Sequence, residues 1–255
     1  MSAVLDRILS DKRARLERGE FAPRGAPAVA SDGARFVAAL RDPGIRIVAE
    51  FKARSPSAGE LVGGADGKLE TFALAYRRGH AAAISVVVEQ DHFGGKPEWV
   101  TRAKRMSGLP VLMKDFVISE TQLDFAASLG ADAVLLVVRA VPEADLARLR
   151  RGASDRGLAA VVEAHGVAEI PRAAAVGPDV LGVNARDLST FETDVAALEP
   201  LAREIPEGPV RLAESGISSR EDVRRLAASG WQAFLVGEAL LTAEDPEEIL
   251  RELAR

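Results

Sequence analysis

Two lysines and three glutamates carry the most reactive chemistry in this sequence, each placed directly after or at the end of a short aliphatic run. Glu50 and Lys52 follow Ile45–Ala49, Lys114 ends Pro110-Val111-Leu112-Met113-Lys114, Glu163 follows Ala159–Val162, and Glu214 follows Val210–Ala213. An ammonium rising from such a position can act as a general acid, an electrostatic stabiliser or a Schiff-base amine; a structural ion pair is the plain alternative. Glu50, Glu163 and Glu214 can supply a base and its partners, since crowded carboxylates raise one another's pKa while lysines lower it. Asn184 and Arg186 after Val180–Val183 add an amide and a guanidinium, and Ser55 adds a hydroxyl. Glu214-Ser215-Gly216-Ile217 and Val236-Gly237-Glu238 each lead into a helical stretch, a pattern that offers backbone N–H groups to an anion such as a phosphate; tight turns alone would also explain Gly216 and Gly237. His92 and His165 both invite an acid–base reading, with a loop or cap role the preferred one for His165, beside Gly166.

The elements that must position these groups are regular. Eight aliphatic runs, Ile45–Ala49, Ala83–Val88, Pro110–Met113, Ala133–Val138, Ala159–Val162, Val180–Val183, Val210–Ala213 and Ala233–Val236, alternate with amphipathic stretches near 68–78, 96–107, 119–129, 142–156, 166–176, 194–204, 219–229 and 246–254. Continuous rather than alternating apolar runs belong to parallel strands buried on both faces. Eight βα units in this length predict an α/β fold, a (β/α)8 TIM barrel, ahead of a doubly wound sheet, because no G-x-G-x-x-G follows the first run. Reactive groups in such barrels gather behind the C-terminal ends of the strands. Candidate site groups with charged or amide side chains follow seven of the eight runs in this way, and the fourth leads into Arg139-Ala140. Residues 1–44 form an N-terminal helical extension, with helices over 3–19 and from Ser31 or Asp32 to Leu40, and residues 45–255 form the barrel of a single domain.

Composition removes several function classes. The 255 residues carry 33 Lys+Arg against 38 Asp+Glu, a net charge of −5 that argues against nucleic acid or a membrane surface as partner. The absence of cysteine excludes disulfides, thiolate zinc sites and cysteine nucleophiles. His80, His92 and His165 are too scattered for a histidine-rich metal cluster, so no metal is expected. No run approaches the ~18 apolar residues of a membrane span, and no secretory h-region opens the chain, so a soluble cytoplasmic protein is expected.

The stretch Glu50-Phe51-Lys52-Ala53-Arg54-Ser55-Pro56-Ser57 resembles the E-x-K-x-x-S-P-S signature of the indole-3-glycerol phosphate synthase family. Pro110-Val111-Leu112-Met113-Lys114-Asp115-Phe116, Gly182-Val183-Asn184-Ala185-Arg186-Asp187-Leu188, Glu214-Ser215-Gly216-Ile217 and Leu235-Val236-Gly237-Glu238 continue the resemblance in order to the end of the chain. It implies a cofactor-free lyase of tryptophan biosynthesis, which closes 1-(2-carboxyphenylamino)-1-deoxyribulose 5-phosphate to indole-3-glycerol phosphate with loss of carbon dioxide and water. By resemblance, Lys114 is the proton donor, Lys52 holds the substrate carboxylate, Glu163 is the general base, Glu50 and Asn184 orient it and the ribulose hydroxyls, and Glu214 orders the polyol chain or a lysine. Ser55, Arg186, Ser215, Gly216, Gly237 and the backbone of Glu238 would hold the phosphate. Phe93, Phe116, Leu135 and Leu188 would wall the aromatic ring. Association with other tryptophan-pathway enzymes is not legible in the sequence.

The chain departs from the family pattern at Met113, where many members carry Arg, and at Val88, Ala185 and Ala239-Leu240-Leu241. None of these removes a residue assigned to chemistry. They leave open a paralogue acting on a substituted ring. A phosphate-binding barrel isomerase, such as phosphoribosylanthranilate isomerase, is a further alternative, disfavoured because it has no use for both Lys52 and Lys114.

Overall fold

The computed structural model describes residues 3–27, 29–187 and 192–255. Eight parallel strands close into a barrel: Arg46–Phe51, Ala83–Val87, Val111–Lys114, Ala133–Val137, Ala159–Ala164, Val180–Asn184, Val210–Glu214 and Ala233–Val236. The first strand joins the ring on both sides, with Val48 opposite Leu235 of the eighth and Ala49 opposite Ile84 of the second. The second, fourth and fifth strands are buried at every position, which explains why they read as unbroken apolar runs.

Helices surround the ring. In chain order they are α1 (Ala3–Glu17), α2 (Gly33–Arg41), α3 (Ala65–Arg78), α4 (Glu98–Ser107), α5 (Glu120–Ser128), α6 (Glu143–Asp155), α7 (Ile170–Ala175), α8 (Arg220–Ala228), α9 (Glu238–Leu241) and α10 (Pro246–Leu253). Several starts are written in the sequence. Ser119 with Gln122 and Ser219 with Asp222 form capping boxes, Asp32 caps α2, and Asp245 caps α10 just before Pro246.

The extension holds both ends of the barrel. At the strands' C-terminal end, Lys12 of α1 contacts Asp115 at 2.7 Å and Glu89 at 3.9 Å, and Arg15 reaches Asp91 at 3.2 Å. The chain then runs past α5, where Phe21 packs edge-on against Phe125, to the opposite end. There α2 buries Phe36 and Leu40. Gly33 donates to Gly157 O at 2.9 Å, so close that a Cβ would lie 2.4 Å from Ala159 N; only glycine fits.

Four details differ from the sequence reading. The first, fifth, sixth and seventh strands run on through Glu50, Glu163, Asn184 and Glu214, and the third ends on Lys114 itself, because these groups satisfy one another inside the ring. The 194–204 stretch is a 3-10 helix, Ala196–Glu204, with Pro200 inside it to block regular α hydrogen bonding. The 166–176 stretch is a 3-10 turn, Val167–Glu169, running into the short α7. An unforeseen antiparallel pair, Arg54–Ser55 with Gly59–Glu60, forms in the loop after the first strand.

Candidate active site

A cavity of about 450 Å³ opens at the strands' C-terminal end. It is lined by Glu50, Lys52, Lys114, Glu163 and Asn184 on its floor, and by Ser55, Arg186, Ser215, Gly216, Gly237 and Glu238. Phe93, Phe116 and Leu135 line it too, with the two phenyl rings 6.4 Å apart at 40°. Glu214 does not reach the cavity: it is fully buried behind Lys114. Leu188 lies outside the described residues.

Lys114 is enclosed by carboxylates, with Nζ 2.8 Å from Glu214 Oε2, 3.3 Å from Glu50 Oε2 and 3.9 Å from Glu163 Oε2. Burial alone would pull its pKa down, but the three carboxylates outweigh burial and hold it above the ordinary lysine value. The group is therefore an ammonium at neutral pH. Lys52 Nζ lies 2.9 Å from Glu50 Oε1, so Glu50 bridges the two lysines. Burial pushes the Glu50 carboxyl up, yet Lys52 and Lys114 together hold it at about 2. Glu214 goes the other way: burial raises it and Glu163 adds to the rise, against the pull of Lys114. A hydrogen bond shared with the Glu163 carboxyl is part of that rise, and no N–H or hydroxyl donor reaches Glu214 Oε1.

Two glycines make room for these carboxylates. A Cβ on Gly182 would stand 2.2 Å from Glu214 Oε1, and one on Gly237 would stand 2.9 Å from Glu50 Oε1. Gly237 thus has a steric duty besides its place at the start of α9. Tyr76 of α3 donates from its hydroxyl to Glu50 O at 2.9 Å and fixes the strand from behind. Asn184 donates from Nδ2 to Glu163 Oε2 at 3.2 Å and accepts the Arg186 N–H at 2.9 Å.

At the mouth, Arg186 donates to Ser57 Oγ at 2.8 Å and lies 3.9 Å from Glu238 Oε2, while Ser55 Oγ accepts from Ala58 N–H. Ser215 and Gly216 both adopt the left-handed region, at φ 71° and 76°. A Cβ on Gly216 would come within 2.5 Å of Thr193 Cγ2, so the turn requires glycine. The two helix starts expected at an anion site are not equivalent. Ahead of α8, Ser219 Oγ accepts the Asp222 N–H and Asp222 Oδ2 accepts the Ser218 and Ser219 N–H groups, whereas α9 has no side-chain cap.

The model for indole-3-glycerol phosphate synthase matches residues 5–253. The chain belongs to the indole-3-glycerol phosphate synthase family. It is 40% identical to indole-3-glycerol phosphate synthase 2 of Streptomyces coelicolor over 258 residues, covering 99% of each chain. It is 42% identical to indole-3-glycerol phosphate synthase of Micrococcus luteus over 231 residues, 90% of this chain and 83% of that one. Among solved structures, orotidine 5′-phosphate decarboxylase from Pyrococcus horikoshii superposes with a TM-score of 0.62 at 13% identity, over 82% of this chain and 97% of that one. Thiamine phosphate pyrophosphorylase from Pyrococcus furiosus gives 0.59 at 18% identity, over 82% and 93%. At those identities the likeness is one of fold.

The structure adds polar groups near the site that the sequence reading did not assign. His165, taken as a loop or cap residue, has its buried ring 3.4 Å from Glu163 Oε1. The signal was present: it stands two residues after Glu163, the spacing that returns a strand side chain to the same face. His92 instead pairs with Asp11 of α1 at 2.9 Å. Lys12, one charge among many on α1, lies buried between Asp115 and Glu89, and nothing in its local sequence marks it.

Proposed function

We propose that this chain closes 1-(2-carboxyphenylamino)-1-deoxyribulose 5-phosphate to indole-3-glycerol phosphate, releasing carbon dioxide and water, as a cofactor-free carboxy-lyase. The observation that carries this reading is the Lys114 ammonium, held protonated at the cavity floor beside Lys52. As the ring carbon bearing the carboxylate attacks the ribulose carbonyl, the new C–C bond forms and the carbonyl oxygen takes the Lys114 proton. Lys52 holds the substrate carboxylate until its C–C bond breaks; the electron pair returns to the ring and carbon dioxide departs. The hydroxyl then leaves as water, with a proton supplied from the site. Glu163 removes the proton from the neighbouring carbon that the new double bond requires.

Asn184 and Glu50 keep Glu163 and the ribulose hydroxyls in register, and Glu214 holds Lys114 from behind. Ser55, Arg186, Ser215, Gly216, Gly237 and the Glu238 backbone receive the phosphate. Phe93, Phe116 and Leu135 take the aromatic ring, with Leu188 assigned by family resemblance. An ammonium among three carboxylates disfavours the Schiff-base use of Lys114, which needs a free amine. The small phosphorylated substrate is the only partner this reading requires. No described helix is long and apolar enough to cross a membrane, and the reading places the enzyme in the cytoplasm as a single domain.

A fluorescence assay tests the proposal. Purified protein is mixed with the carboxyphenylamino-deoxyribulose phosphate without added metal or cofactor, with Lys114→Ala as control. Indole emission from the wild type alone is the expected outcome. No emission from folded wild type, or equal emission from both proteins, overturns it.

A further inference from the structure

We infer that His165 is a positioning residue for the base: with substrate bound, its Nε2 donates to Glu163 Oε1 and fixes the carboxylate plane from the side opposite Asn184. The inference rests on the reading of Glu163 as the general base.

The geometry begins with the strand. Glu163 lies in the fifth strand and His165 is the residue just beyond its end at Ala164, and the two side chains meet with Nε2 3.4 Å from Oε1. The two Glu163 oxygens have different surroundings. Oε2 accepts from Asn184 Nδ2 at 3.2 Å and faces Lys114 at 3.9 Å, Oε1 faces His165 Nε2 at 3.4 Å, and the carboxyl also shares a hydrogen bond with Glu214 of the seventh strand. A carboxylate held through one oxygen still swings about its Cγ–Cδ bond; a donor on the second oxygen stops that motion.

The imidazole has little else to do. Its side chain is 2% exposed, and neither ring nitrogen has a hydrogen-bond partner within normal geometry. Buried polar side-chain atoms are mostly hydrogen-bonded, so an imidazole without a close partner beside a base calls for an explanation. At 3.4 Å the contact is long, as contacts of a catalytic base are before substrate tightens the site.

The residue's own loop is fixed independently of the ring. Glu169 Oε2 accepts the His165 backbone N–H at 2.9 Å, and Arg139 ties Glu169 Oε1 while donating to His165 O at 3.2 Å. The ring is thus presented to Glu163 by a braced backbone. The charged groups facing it are Glu163 on the fifth strand, Arg139 after the fourth strand, Glu169 at the entry to α7, Glu214 on the seventh strand and Lys114 on the third. Burial first, then Arg139, lower its pKa to about 4, so the ring adds no charge at neutral pH. A neutral donor orients the base without quenching it as a second cation would.

The test compares His165→Leu, His165→Gln and Glu163→Gln with the wild type, using steady-state kinetics over pH and thermal melts. His165→Leu is expected to lose about tenfold in kcat with KM changed less than about twofold, short of the ~10²-fold or more expected when the base itself is lost. Without the donor the Glu163 carboxylate is less stabilised, so the acidic limb of the pH profile moves to higher pH. His165→Gln, which keeps an N–H donor, is expected to recover most of kcat and the original limb. An unshifted limb and wild-type kcat in His165→Leu overturn the inference while leaving the base assignment standing. Equal losses in His165→Leu and His165→Gln with lowered melting temperatures also overturn it, since they mark a packing role. Full activity in Glu163→Gln removes the base assignment and this inference together.

Discussion

Each end of the barrel buries a lysine, and the two are solved in opposite ways. At the end closed by α2, Lys104 Nζ donates at 2.8 Å to each of three acceptors: Ala30 O, Gly130 O and Asp132 Oδ1. Asp132 in turn accepts from the backbone N–H groups of Asp32 and Val111, both at 2.8 Å. One cation meets one anion, and both are saturated by hydrogen bonds, so nothing is left to react. At the cavity end, Lys114 faces Glu50, Glu163 and Glu214, Lys52 is a second cation, and both lysines line the cavity. Burial is common to both lysines. What separates structure from chemistry is whether the charges and hydrogen bonds close on themselves, because an open set is the one a substrate can complete.

The largest effect that would break this comparison lies at the closed end. Lys104→Met leaves Asp132 buried without its cation, a change worth about 3–5 kcal/mol of stability. Urea unfolding is expected to reveal that loss, while kcat of the folded variant stays at the wild-type value. A second change, Asp132→Asn, is expected to restore part of the stability. If Lys104→Met cuts kcat as strongly as stability, the two ends are not separable.

At the open end the order reverses. Lys114→Ala is expected to lose about 10²-fold or more in kcat, about 2.7 kcal/mol in the barrier, while substrate binding survives. Its unfolding midpoint should fall as well, because Glu50, Glu163 and Glu214 are left facing one another without the cation between them, so kcat rather than stability separates it from Lys104→Met. Near-normal turnover would end the assignment of Lys114 as proton donor. At the mouth, Arg186→Ala is expected to raise KM about 10-fold or more, from the ~1.5–3 kcal/mol of a hydrogen bond to a charged group. An unchanged KM would place the phosphate elsewhere.

The two ends also differ in how far the sequence announces them. The strands were readable because burial on both faces leaves unbroken apolar runs, and the parallel ring follows from their alternation with helices. Glu50, Lys114 and Glu214 were visible as charges that interrupt or end such runs, where an aliphatic residue would otherwise sit. The Lys104–Asp132 lock was not visible. Lys104 lies on α4 among other charges, and its partners lie 26, 28 and 74 residues away, a proximity only the closed ring creates. The same holds for Lys12 against Asp115. Position along the chain reveals a side chain's face but not its partner across the barrel, and the roles of Glu214 and His165 depend on that partner.

The smallest expected effect is the one that most sharpens the contrast. Glu214 is buried, with no N–H or hydroxyl donor on Oε1 and its pKa raised above the ordinary value of 4.5. Between that value and its folded pKa the native state binds more protons than the unfolded chain, so stability is fully present below pH 4.5 and falls as pH rises through the folded value. Glu50 has the opposite sign: its folded value of about 2 gives stability present above 4.5 and lost as pH falls towards 2. The two windows do not overlap. Glu214→Gln keeps the shape and leaves Lys114 paired with Glu50 at 3.3 Å, so its unfolding midpoint relative to wild type is expected to climb as pH is raised from 5 to 9, while its activity falls. Lys104→Met offers no such exchange, because a closed pair has no stability to return. A midpoint difference independent of pH would mean that Glu214 ionises as freely in the fold as outside it, and that the open end carries no stored cost.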